Sequence, residues 1–295
     1  MIIPGQLMAR SVLSFNDHHI WEVFWQTMTF ALFVYSVKKW DAPLNEILKN
    51  KKSFIYPILC GISLALYILS WGPGFIAALF VLVYVFLVYV LRDYLKAKTE
   101  NLAILSVVAL LTAAVIYSPF SFVYPGLSTT RYSPFQLLVL ISSAVMIILF
   151  YLTENFVKKG YLRVNERVAF PLAIILITGV ITAIISIASP DFLNYILGII
   201  RVVQPKGGAL TIGEVQPFFT MGGSFTLFPA WQNFSTTFFF AIPGMIYIIY
   251  KFLKERGKLY LFSLIWGFAL LIALAGQNRF AYYFGVVSAV FAAVM

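Results

Sequence analysis

An all-α, polytopic membrane fold is predicted by three properties of this sequence. The chain is 61% hydrophobic and only 11% charged, with a mean hydropathy of +0.91, a balance outside that of soluble domains. Its apolar residues gather into runs of the length a helix needs to cross a bilayer, about 17–25 residues. Its basic residues lie between those runs, in alternate loops, as membrane insertion selects. The formal charge of +10 therefore does not indicate a nucleic-acid partner, because the positive residues form short clusters confined to loops.

Taken in order, the apolar runs cover residues 20–37, 54–71, 75–91, 102–118, 135–153, 168–189, 234–250 and 259–275, with a further run at 280–295. Eight to nine membrane helices are expected. Gly72-Pro73-Gly74 separates the second run from the third and suits a tight turn at one membrane face. Cys60, the single cysteine, falls inside an apolar run, which leaves neither a disulfide framework nor a thiolate metal site.

Loop charge sets the orientation. Lys38, Lys39, Lys49, Lys51 and Lys52 form one basic cluster, and Arg92, Lys96 and Lys98 a second. Lys158, Lys159, Arg163 and Arg167 form a third, and Lys251, Lys254, Arg256 and Lys258 a fourth. Together they hold 16 of the 21 Lys and Arg residues. These loops are expected in the cytoplasm. Residues 1–19, 72–74, 119–134, 190–233 and 276–279 then face outward, bringing Asp17, Glu22, Asp191, Glu214 and both histidines to the outer side.

The chemistry concentrates at Asp17-His18-His19-Ile20-Trp21-Glu22. A carboxylate with an imidazole two residues on is a mixed ligand set for a divalent cation, with Asp17 and His19 as the candidates. The alternative is that Asp17 caps the helix starting near Ile20 while the histidines face the water interface. Both readings stand on these residues alone.

Two outer stretches add to it. The 190–233 loop exceeds the usual length of a structureless connection, which points to function. Within it, Thr211-Ile212-Gly213-Glu214 lies in an expected extended piece that follows a hinge at Pro205–Gly208, and Met221–Ser224 is expected to be a second flexible joint. Phe218, Phe219, Phe225, Phe228 and Trp231 read as an aromatic belt at the interface. Glu214, a carboxylate on a long loop, suits binding or catalysis instead. In Gln277-Asn278-Arg279-Phe280-Ala281-Tyr282-Tyr283, Arg279 stands at an outer mouth against the charge trend. Its guanidinium fits either lipid phosphates, as helix-end cations do, or a substrate phosphate. Asn233-Phe234-Ser235 matches the Asn-x-Ser acceptor pattern, yet it sits at the start of an apolar run and is expected to escape modification.

Arg10, Asp17-His18-His19, Glu22, Trp71-Gly72-Pro73-Gly74, Thr211-Ile212-Gly213-Glu214 and Arg279–Tyr283 together resemble the catalytic subunit of archaeal-type oligosaccharyltransferases, across essentially the whole chain. The Thr-Ile-x-Glu motif in a long outer loop is the most specific element, and Asp-x-His resembles the archaeal branch. The resemblance implies a GT-C-type transmembrane bundle in the cell membrane, with its active site on the outer face. It implies transfer of an oligosaccharide from a dolichyl (polyprenyl) phosphate or pyrophosphate carrier to the Asn of Asn-x-Ser/Thr in an acceptor polypeptide.

On that resemblance Asp17 and His19 bind Mn2+ or Mg2+, and Arg10 belongs to the shell around the metal. His18 and Glu22 form a further layer, with His18 and Thr211 towards substrate. Glu214 engages the acceptor amide and Arg279 the carrier phosphate. A further Asp ligand in an earlier outer loop and a Trp-Trp-Asp-Tyr-Gly motif in a C-terminal soluble domain, both of the family pattern, do not occur in these 295 residues. Residues 1–295 are therefore expected to be the transmembrane domain of a longer enzyme, inactive alone, with 190–233 as its outer catalytic loop. Two other classes remain beside it. One is a different polyprenyl-phosphate-dependent glycosyltransferase, from which Thr-Ile-Gly-Glu departs. The other is a transporter or flippase, which would place ionisable groups at mid-membrane depth.

Overall fold

The computed structural model describes residues 19–39, 44–159, 170–176, 179, 213–221 and 223–295. Among them, six helices are long and apolar enough to cross a membrane, beginning at Lys51, Gly72, Thr99, Pro134, Thr236 and Lys258. Each matches one expected run, and the chain is a multi-pass membrane protein. The regular helices are α1 (His19–Lys39), α2 (Ile55–Ser70), α3 (Ile76–Val90), α4 (Thr99–Tyr117) and α5 (Pro134–Lys158), then α6 (Thr236–Glu255), α7 (Lys258–Gly276) and α8 (Ala281–Ala292). The run at 168–189 is described only at 170–176 and 179, all helical. With its 12 residues α8 is about 18 Å long at 1.5 Å per residue, short of a hydrocarbon core about 30 Å thick.

The chain divides into two compact units, Trp25–Leu197 and Met1–Phe24 with Gly198–Met295. In the first, α4 packs against α2 and α5, and α3 lies on α5. Gly61 permits the closest of these approaches, since a Cβ there would stand 2.4 Å from the Ala109 carbonyl oxygen. Lipid offers apolar helices no hydrophobic reward for meeting, so close backbone packing and buried polar contacts hold such bundles. Two polar clasps do so here. At the start of α5, Ser133 and Gln136 form a capping box behind Pro134, and Gln136 Nε2 also donates to the Arg131 carbonyl at 2.7 Å. At its far end, the buried Glu154 accepts from Arg92 Nη1 at 2.6 Å and from Thr99 Oγ1 at 2.6 Å.

In the second unit α8 packs against α6 and α7. Gly244, beside Pro243 inside α6, allows it: a Cβ there would lie 2.0 Å from the Phe291 carbonyl oxygen. Ahead of α6, strands β1 (Thr220–Met221) and β2 (Ser224–Phe225) pair antiparallel, Met221 opposite Ser224. A short helix, Phe228–Phe234, follows.

Several expectations change here. The Met221–Ser224 joint is the turn of this hairpin, where Gly223 takes φ +82°, a conformation that needs no Cβ. Phe218 does not join an interfacial belt: it is 2% exposed and packs on Phe234 at 5.7 Å. Phe225, Phe228 and Trp231 are exposed as a belt requires. Glu214 lies in a 3-10 turn, Gly213–Val215, where an extended piece was expected. Asn233 is helical, in the short helix Phe228–Phe234 within the stretch expected as loop up to 233, and α6 begins at Thr236.

Candidate functional site

His19 opens α1, and Glu22 sits one turn later, so both side chains face the same way. The His19 Nδ1 atom lies 3.0 Å from Glu22 Oε1. The Glu22 side chain is fully buried. A buried carboxylate must find donors or a counter-charge, and α8 supplies donors from its first turn. Tyr283 donates its hydroxyl to Glu22 Oε2 at 2.5 Å, and the Tyr282 hydroxyl lies 3.5 Å from the same oxygen. The Tyr282 ring also stacks on the His19 imidazole, with centroids 4.8 Å apart and planes 24° from parallel.

The turn before α8 carries the next piece. Asn278–Phe280 form a 3-10 turn between α7 and α8, and the Arg279 guanidinium carbon lies 5.4 Å from the centre of the Phe280 ring. Against this turn packs the one carrying Glu214, tied by the Asn278 N–H donating to the Gln216 carbonyl at 2.8 Å. Glu214 is half-buried. Its segment is anchored downstream by Phe218, which packs with Phe234, itself 5.4 Å from Phe284 on α8. The segment Asn278–Tyr283 therefore touches both the Glu214 turn and the His19–Glu22 pair.

Of the residues chosen from sequence, the fold gathers His19, Glu22, Glu214 and Arg279 around that one segment. Arg10, Asp17, His18 and Thr211 lie outside the described residues. Tyr282 and Tyr283 entered the sequence analysis only as part of a motif, with no role. Their phenols reach His19 and Glu22 in the first turn of α1, and two adjacent tyrosines after Arg279 were the only trace of this in the sequence. Among the described residues, no group of three or more His, Cys, Asp or Glu side chains is placed to hold a metal ion. The donor chemistry at His19 nonetheless fits a metal ligand. A histidine that ligates through one ring nitrogen ordinarily gives the other N–H to a carboxylate, and Glu22 stands where such a carboxylate belongs.

Residues 1–272 match the family described as oligosaccharyl transferase STT3, N-terminal. The chain is 47% identical over 296 residues to dolichyl-phosphooligosaccharide-protein glycotransferase 3 of Archaeoglobus fulgidus, covering 99% of this chain and 34% of that protein. It is similar to the archaeal oligosaccharyltransferase AglB from the same organism, solved in complex with an inhibitory peptide and a dolichol-phosphate. There the TM-score is 0.93 at 46% identity, over 99% of this chain and 34% of that one. A crystal structure of the Archaeoglobus fulgidus oligosaccharyltransferase with Zn and sulfate matches with a TM-score of 0.79 at 39% identity, over 99% and 32% of the two chains. The chain thus spans about a third of the length of these relatives.

Proposed function

This chain belongs to the oligosaccharyl transferase STT3 family, and its all-helical membrane bundle is of the GT-C type; on that premise we propose that it contributes the membrane-embedded half of an N-glycosylation site. The reaction moves an oligosaccharide from a dolichyl phosphate or pyrophosphate carrier to the asparagine amide of an Asn-x-Ser/Thr acceptor. The observation that carries this reading is the convergence on Asn278–Tyr283 of the Glu214 turn and the His19–Glu22 pair.

Each group has chemistry to match. His19, with Asp17 beside it in sequence, is the ligand pair for a divalent cation, Mn2+ or Mg2+ in our reading. The Zn in a relative's structure supports a divalent site without choosing the native ion. When bound, the cation supplies positive charge to the departing phosphate. Arg279 offers a planar fork of donors to the carrier's phosphate oxygens. Glu214 accepts from the acceptor amide N–H, orienting a weak nucleophile towards the sugar. The family resemblance assigns Arg10 to the shell around the metal and His18 and Thr211 to the substrate. In this reading the site faces outward, the side that the loop charges assign to it.

Glycopeptide formation from an Asn-x-Thr peptide and lipid-linked donor tests it with the full-length protein. Glu214→Gln should lower turnover by a factor on the order of 10²–10³, the usual cost of one transition-state contact, while Arg279→Ala should raise the KM for the lipid donor. Wild-type turnover in Glu214→Gln would exclude Glu214 from the reaction. Orientation is read separately at Met221, which is 63% exposed on the hairpin. A Met221→Cys thiol should react with an impermeant reagent from outside, and labelling only from the cytoplasm would invert the topology.

A further inference from the structure

The polar cluster behind His19 does more than satisfy a buried acid. An ionised carboxylate accepts hydrogen bonds and donates none. With Tyr283 at 2.5 Å and Tyr282 at 3.5 Å both directing hydroxyls at Glu22 Oε2, Glu22 Oε1 is left to accept from His19 Nδ1 at 3.0 Å. A neutral imidazole that donates to this carboxylate carries its ring proton on Nδ1 and its lone pair on Nε2. The Tyr282 hydroxyl, 3.3 Å from Nδ1, then turns its proton to the carboxylate. The Tyr282 ring stacked on the imidazole restricts rotation about χ2. One acid and two phenols, from helices about 260 residues apart in sequence, thus bear on both the tautomer and the ring plane.

We propose that Glu22 is a positioning residue, held by Tyr283 and Tyr282, that presents His19 Nε2 to a divalent cation. This rests on the reading of His19 as a ligand, and extends it to residues that never touch the ion. It also explains why a carboxylate is buried at the mouth of α1, where desolvation is costly: an alanine or leucine there would leave the imidazole free to take either tautomer and to rotate away.

The test uses the full-length protein in detergent, with Mn2+ alone as probe and the free hydrated ion read by electron paramagnetic resonance. Glu22→Gln should weaken Mn2+ binding about 10- to 100-fold, the usual effect of removing a ligand's hydrogen-bonded carboxylate. Tyr283→Phe, which removes only the hydroxyl and keeps the ring, should give a smaller loss in the same direction. In a His19→Ala background, Glu22→Gln should add nothing, because Glu22 acts through His19. Equal losses in both backgrounds, or wild-type affinity in Glu22→Gln and Tyr283→Phe while His19→Ala binds weakly, would overturn the positioning role alone. Unchanged affinity in His19→Ala would overturn the ligand reading and the positioning role with it. Nitrogen-15 histidine spectra of the metal-free protein give a direct check, with the His19 signals assigned by their loss in His19→Ala. A proton on Nδ1 is expected, and a proton on Nε2 would overturn the proposal.

Discussion

Arg92→Ala should loosen the unit built on α2–α5 more than any exposed change near it. Arg92 Nη1 lies 2.6 Å from Glu154 Oε1, with the two side chains 17% and 1% exposed. Removing the arginine leaves a buried carboxylate facing Thr99 Oγ1 at 2.6 Å without its guanidinium. Breaking a buried pair from one side costs about 3–5 kcal/mol. At about 1.4 kcal/mol per factor of ten, that raises the opened population by roughly two to three and a half orders of magnitude. Cys60 reports the opening, being the only cysteine and 1% exposed in the same unit. Its reaction with a thiol-specific fluorophore should accelerate by a similar factor where reclosing outruns labelling.

Two controls separate the charge effect from lost packing. Asp93, the other acid at Arg92, is 46% exposed, so Asp93→Ala should change the rate little, as surface pairs contribute about 0–1 kcal/mol. Adding Glu154→Gln to Arg92→Ala should slow labelling again, because the amide still accepts from Thr99 and no charge is left buried. A single variant within about threefold of wild type, less than 1 kcal/mol, would refute this account of the clasp. So would a double variant that labels faster than the single one.

Two further outcomes follow from the other unit. Gly244→Ala sets a Cβ 2.0 Å from backbone that cannot swing away, so α6 and α8 must separate, at a cost of about 1–3 kcal/mol for overpacking. The melting temperature should fall, and an unchanged value would mean that α8 packs elsewhere. Asn233 should remain unmodified in the purified native protein despite the Asn-x-Ser match, because its amide donates to the Pro229 carbonyl at 2.9 Å within a helix. Glycan on Asn233 in the mass spectrum would show that this helix unwinds before modification.

The membrane class and the positions of the membrane helices were legible from sequence for a simple reason. Hydrocarbon forces every backbone group to pair within its own helix, so hydropathy is a local quantity that reports the membrane helices directly. The candidate residues were legible too, because His19, Glu22, Glu214 and Arg279 stand out against an apolar background. Their grouping was not. Nothing local says that the turn at Gly213–Val215 packs on Asn278–Phe280, or that Tyr283 reaches a glutamate some 260 positions earlier. Those contacts depend on how helices pair, and similar apolar faces can pair in many ways. The choice rests on details such as the missing side chain at Gly244 and on the need of buried Glu22 for donors. Burial likewise reversed one reading: Phe218 was placed in an interfacial belt and lies inside. A residue's type states what it can bond to, and only the packed structure decides which partner is within reach.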